Sequence, residues 1–496
     1  MSTKILVIGI DALDSTTILK HIDVLPNFKK LLKSTGNIKF DGVFPPDSPT
    51  SWASIYTGLD PAKHGIVLFV DPLKRVSKMV SRDVDDHTIH GKTFWDIAGK
   101  SGKKVCILPH LLGYPVWPVN GIMIGRSGVN QEVQVYPNEL SSHLDISKFK
   151  WSVDLFPGKN KDKYIELTKY QITREKEFAH DLLKKDEFDI FFVSFGELDS
   201  IQYSFWNFYD QDDPAYPGTN RYSRLIPEFY ILYDRIIGEL WEAAGPDAIV
   251  VVVSDHGIGS RPVKLFNVNE FLRREGYLVL KNTKSKLSSI SRLEKLKKGL
   301  ISYVDRYNLG NLAATGLRYF PQSKDWIISS NHINWDECRA YLTDQSGIKN
   351  YPYGGIIVNR NPPESYDSIR NALIQKFMEV RDPETGLPIF NWIYKREDLY
   401  NGEFIENYPE LIFELNESYG AGTSVPDELF DRSVSHNIAP GCHKQHHATF
   451  LIFNPGNKKL TKEKMTLMDV TPTLLELLDI NSGEYYFDGK NIFSHR

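Results

Sequence analysis

The run Ala248-Ile249-Val250-Val251-Val252-Val253 passes without a break into Ser254-Asp255-His256-Gly257. Six apolar or small residues, mostly β-branched, read as a strand buried on both faces, the kind found in a parallel sheet. Asp255 and His256 then stand at the carboxyl end of that strand, where open α/β sheets bind their ligands. Gly257 allows a tight turn and puts no Cβ near a bound group. A carboxylate beside an imidazole suits a metal ion, although a plain strand-to-loop turn also uses Asp and Gly. The pair therefore draws its weight from partners elsewhere in the chain.

Similar runs recur at Ile5–Ile10, Val105–Leu108, Asp189–Phe195, Ile356–Asn359, Leu411–Leu415 and Thr449–Phe453. Helical patterns lie between them at Leu25–Ser34, Thr93–Ser101, Tyr164–Lys185, Pro227–Ala244, Ser368–Val380 and Thr471–Leu478. This alternation predicts an α/β fold, a mostly parallel central sheet with helices on both faces. The 496 residues exceed what one core usually serves, so a large domain with a smaller appendage, or two domains, is expected. From Lys281 to Lys298, seven Lys or Arg stand against one acid, Glu294. Leu287, Ile290, Leu293, Leu296 and Leu300 recur there at helical spacing, as in a basic amphipathic helix. We read 281–350 as an inserted helical cap, and 1–280 with 351–496 as the catalytic α/β domain. For the 281–304 helix, a lid that attracts anionic substrate or a membrane-surface helix is the alternative to a solvated face.

Hydrophobic residues at 41% and aromatics at 12% can fill a large core. The net charge of -4 gives no argument for a nucleic-acid partner or an anionic membrane. Cys106, Cys338 and Cys442 are scattered, which argues against a disulfide framework and fits a reducing compartment. The chain enters a strand directly after Met1-Ser2-Thr3-Lys4, and no stretch approaches a transmembrane span. A soluble, cytoplasmic protein is the expectation.

Four further pieces carry chemistry. Asp11 follows the first strand, where it can ligate a metal or cap a helix equally well. The stretch Phe44-Pro45-Pro46-Asp47-Ser48-Pro49-Thr50-Ser51-Trp52 through Thr57-Gly58 leads from a Pro-rich loop into a helix, with His64-Gly65 beyond. Ser48 near a helix N-terminus would lie where N–H groups favour phosphate. A serine hydroxyl needs a base or a metal to become a nucleophile. No Gly-x-Ser-x-Gly elbow is present, so metal activation fits better. Asp199 follows the strand Phe191-Phe192-Val193-Ser194-Phe195. Gly441-Cys442-His443-Lys444-Gln445-His446-His447 places three histidines just before another strand, as a metal site or as an exposed loop.

Taken in order, these pieces resemble the alkaline phosphatase superfamily, most closely its type I phosphodiesterase/nucleotide pyrophosphatase branch. Gly91-Lys92-Thr93-Phe94-Trp95-Asp96, Asn267-Val268-Asn269-Glu270-Phe271-Leu272 and Asp469-Val470-Thr471-Pro472-Thr473 add to the likeness. The resemblance implies a hydrolase of small-molecule phosphoesters, nucleotide-containing substrates among them. It implies two divalent metal ions, zinc or in the harder case manganese. By resemblance, Asp11, Ser48, Asp255 and His256 hold one ion, with Ser48 attacking phosphorus to form a phospho-seryl intermediate. Asp199 and His443 belong to the other. Thr50 is the alternative nucleophile should the loop register differ. The pattern also expects a histidine four residues after Asp199, where this chain has Tyr203. A phenol, with a pKa of about 10, is a far poorer ligand than imidazole. Three readings follow. His446 or His447 supplies the missing nitrogen; the second site is weak or takes a harder metal; or the fold survives as a silent binding module.

Overall fold

The computed structural model describes residues 4–36, 39–67, 69, 83–150, 153, 157, 160–281, 333–343, 350–360, 366–425, 428–433, 436, 439–456, 458, 460 and 464–493. Its central sheet contains β1 (Ile5–Ile10), β2 (Val105–Leu108), β3 (Gly121–Arg126), β4 (Val133–Tyr136), β5 (Ile190–Phe195), β6 (Ile249–Val253) and a last strand, Phe450–Phe453. From edge to edge the order is Phe450–Phe453, β6, β1, β5, β2, β3, β4. The five strands from β6 to β3 are parallel, and both edges are antiparallel.

The β-branched and aromatic runs follow from burial on both faces. Leu6, Ile8 and Ile10 of β1 enter one core, with Phe191, Val193 and Phe195 of β5 and Val250 and Val252 of β6. Ile5, Val7, Ile190, Phe192, Val251 and Val253 enter the other. With side chains alternating along each strand, no polar face is left for the pattern to show. The first core is closed by α1 (Pro26–Thr35), α3 (Lys161–Lys185), α4 (Glu197–Tyr209) and α5 (Leu225–Ala244). The second is closed by α2 (Ser48–Thr57) and α6 (Val470–Leu477), with the short helix Phe94–Lys100 beside them. The expected α/β fold with helices on both faces is therefore present.

The runs at Ile356–Asn359 and Leu411–Leu415 do not extend the central sheet. They fall in Tyr353–Val358 and Leu411–Leu415 of a separate antiparallel sheet, ordered Ala340–Leu342, Tyr353–Val358, Leu411–Leu415, Phe390–Lys395. This sheet has its own core, with Phe377 from the helix Tyr366–Glu379 packed on Phe390 and Phe271. Of the stretch read as a cap, 282–332 and 344–349 lie outside the described residues, and with them nearly all of the basic 281–304 helix. Within that stretch, Ile333 bridges to Leu280 and Ala340–Leu342 is a strand.

Register brings the carboxylates together. Gly9 of β1 pairs with Val253 on one side and Ser194 on the other. Two residues further along adjacent parallel strands, Asp11 and Asp255 stand level. Asp199 follows β5 in the first turn of α4. Because β5 and β6 flank β1, three strand ends open onto one crevice.

Candidate active site

The chain turns sharply after Asp11. Ala12 has φ 58, a left-handed conformation costing an alanine roughly 1–2 kcal/mol. The turn is held by long-range bonds. Ala12 N–H donates to Asp255 Oδ1 (3.1 Å), Leu13 N–H to Ser254 Oγ (2.9 Å), and Gln202 Nε2 to the Ala12 carbonyl (2.8 Å). Asp14, not Asp11, caps the following helix Ser15–Lys20, accepting from Thr17 N–H at 2.8 Å. The capping duty is thus taken, and Asp11 faces the crevice.

Ser48 is the first residue of α2, and Asp47 occupies the N-cap position. Ser48 Oγ donates to Asp11 Oδ1 (3.4 Å) and lies 3.1 Å from His256 Nε2. Thr50 is fully buried, and its hydroxyl donates to the Ile66 carbonyl at 3.1 Å. Of the two candidate hydroxyls, the structure brings Ser48 alone to the carboxylates.

His256 and His443 present the same atom. Nδ1 of His256 lies 2.9 Å from the Gly257 carbonyl, and Nδ1 of His443 lies 2.8 Å from the Pro46 carbonyl. A carbonyl only accepts, so each Nδ1 carries a hydrogen and each Nε2 faces the crevice, where a neutral ring offers its lone pair. The two rings approach to 3.7 Å between centroids. They meet because Gly257–Ser260 pairs antiparallel with Gly441–Lys444. Two glycines permit the approach. A Cβ on Gly441 would lie 2.6 Å from the Gln202 carbonyl oxygen, and one on Gly257 would lie 2.3 Å from that of His446. Gly257 thus makes room for the neighbouring chain rather than for a ligand.

Among the described residues, two groups have ligand atoms within 4.8 Å of one another: Asp11, Asp255 and His256, and Asp199, His256 and His443. Burial, and after it the Asp11 carboxylate, pushes Asp255 well above the usual carboxylate range. Burial alone would lower His256, but Asp255, Asp11 and Asp199 together outweigh it and raise the imidazole. Both shifts reflect negative charge crowded into a dry crevice.

Tyr203 sits one turn after Asp199, edge-on to His443 at 5.0 Å. Its hydroxyl is 2.8 Å from that of Tyr351, and the buried Arg261 guanidinium lies 5.3 Å over each ring. Burial, then Tyr351 and Asp199, drives the Tyr203 phenol well above 10, so it stays protonated. His446 and His447 are exposed and enter neither ligand group; His446 Nδ1 lies 3.0 Å from Asp41 Oδ1. Neither stands with Asp199 and His443, where the missing nitrogen would be supplied. Both follow the paired strand, in the turn where the chain leaves the crevice for the surface.

His64-Gly65 is a structural element. Ile66 N–H donates to His64 Nδ1 at 3.1 Å, so Nε2 carries the hydrogen that faces Ser54 Oγ at 3.0 Å on α2. Burial holds the imidazole down at about 3, against 6.5 ordinarily. The unfolded chain therefore takes up this proton first, and stability falls as pH drops below 6.5. From about pH 7 to about pH 4.5 this residue alone removes roughly 2–3 kcal/mol. Urea unfolding of wild type and His64→Asn at both pH values checks it; equal losses in the two proteins would remove His64 as the cause.

Sequence reading missed His110, which follows β2 and meets Asp11 at 2.9 Å. No local pattern marks it, since its partners lie on other strands.

No curated protein matches the chain. Its fold is similar to that of human ectonucleotide pyrophosphatase/phosphodiesterase 5, at 14% identity over 99% of this chain and 100% of that one (TM-score 0.53). An inactive form of the murine counterpart, solved with AMP, matches at 14% identity with the same coverage (TM-score 0.51). Phosphonoacetate hydrolase from Sinorhizobium meliloti 1021, solved with phosphonoacetate, matches at 12% identity over 96% of this chain and 95% of that one (TM-score 0.55). These likenesses are ones of fold. The family model for type I phosphodiesterase/nucleotide pyrophosphatase matches residues 5–424, which carry every strand-end carboxylate described above, and the chain belongs to that family of phosphoester hydrolases.

Proposed function

We propose that the chain is a metal-dependent hydrolase of phosphoric diesters or pyrophosphates, acting on small molecules, nucleotides among them. The observation that supports this most directly is Ser48 Oγ, 3.1 Å from His256 Nε2 and 3.4 Å from Asp11 Oδ1. It stands at the start of a ten-residue helix, where N–H groups and the helix dipole favour a phosphoryl oxygen.

The donor set suits divalent cations. Asp255 Oδ2 is buried without a hydrogen-bond partner, a costly state that a cation relieves. Three carboxylates and two imidazoles fit zinc, with manganese as the harder alternative. Asp11, Ser48, Asp255 and His256 would hold one ion, and Asp199 and His443 the other. When bound, such ions make the hydroxyl more acidic and neutralise charge on the phosphoryl oxygens. Ser48 Oγ attacks phosphorus as the bond to the leaving oxygen breaks, and water then cleaves the seryl ester. Two acceptors face the Ser48 hydroxyl, His256 Nε2 at 3.1 Å and Asp11 Oδ1 at 3.4 Å; with His256 Nε2 turned to an ion, Asp11 would be left to take the Ser48 hydrogen. The disulfide-free cysteines support a cytoplasmic setting. No helix among the described residues is long and apolar enough to cross a membrane.

Turnover of a bis-nitrophenyl phosphodiester, a nitrophenyl monoester and a nitrophenyl sulfate, with and without chelator, tests the reading. Preference for the diester is expected. Absence of metal-dependent turnover on all three would leave only a binding module.

With Tyr203 engaged by Tyr351, the second position has fewer strong ligands than the first. Dialysed protein should retain one equivalent of zinc, and Tyr203→His two, with faster turnover. Two equivalents in the wild type would show that the phenol is no obstacle.

A further inference from the structure

Asp11 has two oxygens, and the structure treats them differently. Oδ1 faces Ser48 Oγ and His256 Nε2, each at 3.4 Å. Oδ2 is turned the other way, into a buried pair of rings. Trp52 Nε1–H donates to it at 3.3 Å, and His110 Nε2 lies 2.9 Å from it. A carboxylate oxygen only accepts, so the hydrogen of this contact is on His110 Nε2.

The other side of the His110 ring is also held. Ser194 Oγ accepts the His110 backbone N–H at 2.8 Å and stands 2.8 Å from Nδ1. With the ring hydrogen on Nε2, Nδ1 is the accepting nitrogen, and the serine hydroxyl is placed to donate to it. Trp52 packs edge-on against the imidazole, with centroids 5.1 Å apart. Ser194 and Trp52 are fully buried, and the His110 and Asp11 side chains are each 5% exposed. These groups come from β1, α2, β5 and the end of β2, so the assembly exists only in the folded sheet.

The geometry points to His110 as a positioning residue. Oriented by Ser194, it donates from Nε2 to Asp11 Oδ2 and so commits Oδ1 to Ser48 and the ligand group. Partners one shell outside a metal ligand commonly matter 10–100-fold to affinity. The inference rests on Asp11 being a metal ligand, and the test separates the two.

Zinc affinity of the full-length protein is measured by competition with a chromophoric chelator, together with kcat and KM on the bis-nitrophenyl diester. His110→Ala should weaken zinc roughly 10–100-fold and lower kcat more than it raises KM. His110→Gln, whose amide can donate to Oδ2, should recover most of the affinity, whereas His110→Met, with similar bulk and no donor, should not. Ser194→Ala should show part of the loss. This donor-dependent pattern separates positioning from packing, because a packing role would make Gln and Met equivalent, and it holds even if His110→Ala fails to fold. Zinc affinity unchanged in His110→Met, while Asp11→Asn has lost it, overturns the inference alone. Unchanged affinity in Asp11→Asn overturns the ligand reading and the inference with it.

Discussion

Ser48→Ala is expected to lower turnover of the bis-nitrophenyl diester by about 10³-fold or more, as loss of a nucleophile does elsewhere. The fold should survive. Ser48 is half-buried at the first position of α2, and its hydroxyl bonds point to Asp11 and His256 rather than to the helix backbone. Removing it therefore deletes no cap and opens little space. Ser48→Thr keeps a hydroxyl at the same place and should retain part of the activity. Thr50→Ala should do the reverse of Ser48→Ala. It loses the buried bond to the Ile66 carbonyl, costing about 1 kcal/mol of stability, and leaves the Ser48 hydroxyl in place. Rates and melting temperatures of the three variants decide the matter. Near-wild-type turnover in Ser48→Ala beside a collapse in Thr50→Ala would move the nucleophile to Thr50.

Asp255→Asn is expected to pull binding and stability in opposite directions. Under the proposed metal site, zinc affinity should fall by about 100-fold or more, and turnover with it, because a neutral amide replaces a carboxylate. The metal-free variant, in contrast, should be about 1–3 kcal/mol more stable than metal-free wild type. Asp255 is fully buried, and burial together with Asp11 raises its carboxyl well above 3.8. The folded state therefore binds this proton more tightly than the unfolded state. Ionisation at neutral pH costs stability, and the cost disappears as pH falls to about 3.8 and below. Asparagine keeps an oxygen for the Ala12 N–H, now 3.1 Å from Oδ1, while removing the charge. Urea unfolding with chelator present measures the gain. A metal-free variant less stable than wild type would show that the Asp255 charge is not under strain.

The fold was legible in the sequence wherever a segment carries its own period. The runs of β1, β5 and β6 declare strands buried on both faces, and the acids just beyond them declare a strand-end site. The long helices α3 and α5 show in the same way, their ends matching and their starts lying three and two residues earlier than expected. The separate antiparallel sheet was not legible. Ile356 and Leu411 pair with each other across 55 residues, and nothing in either run names its partner.

The same division runs through the site. Asp11, Ser48, Asp199, Asp255, His256 and His443 were singled out by the family resemblance, and the structure brings them to one crevice. Sequence alone left open whether Asp11 was a helix cap, and the Asp14–Thr17 bond settled that. It left open whether Ser48 or Thr50 faced the carboxylates, and whether His446 or His447 turned inward. It was silent on His110. A strand or helix is decided by side chains a few positions apart, which share a face and a solvent. Convergence of ligand atoms depends on strand register and on single bonds such as Ala12 to Asp255, 243 residues apart, which form only once the sheet has closed around them.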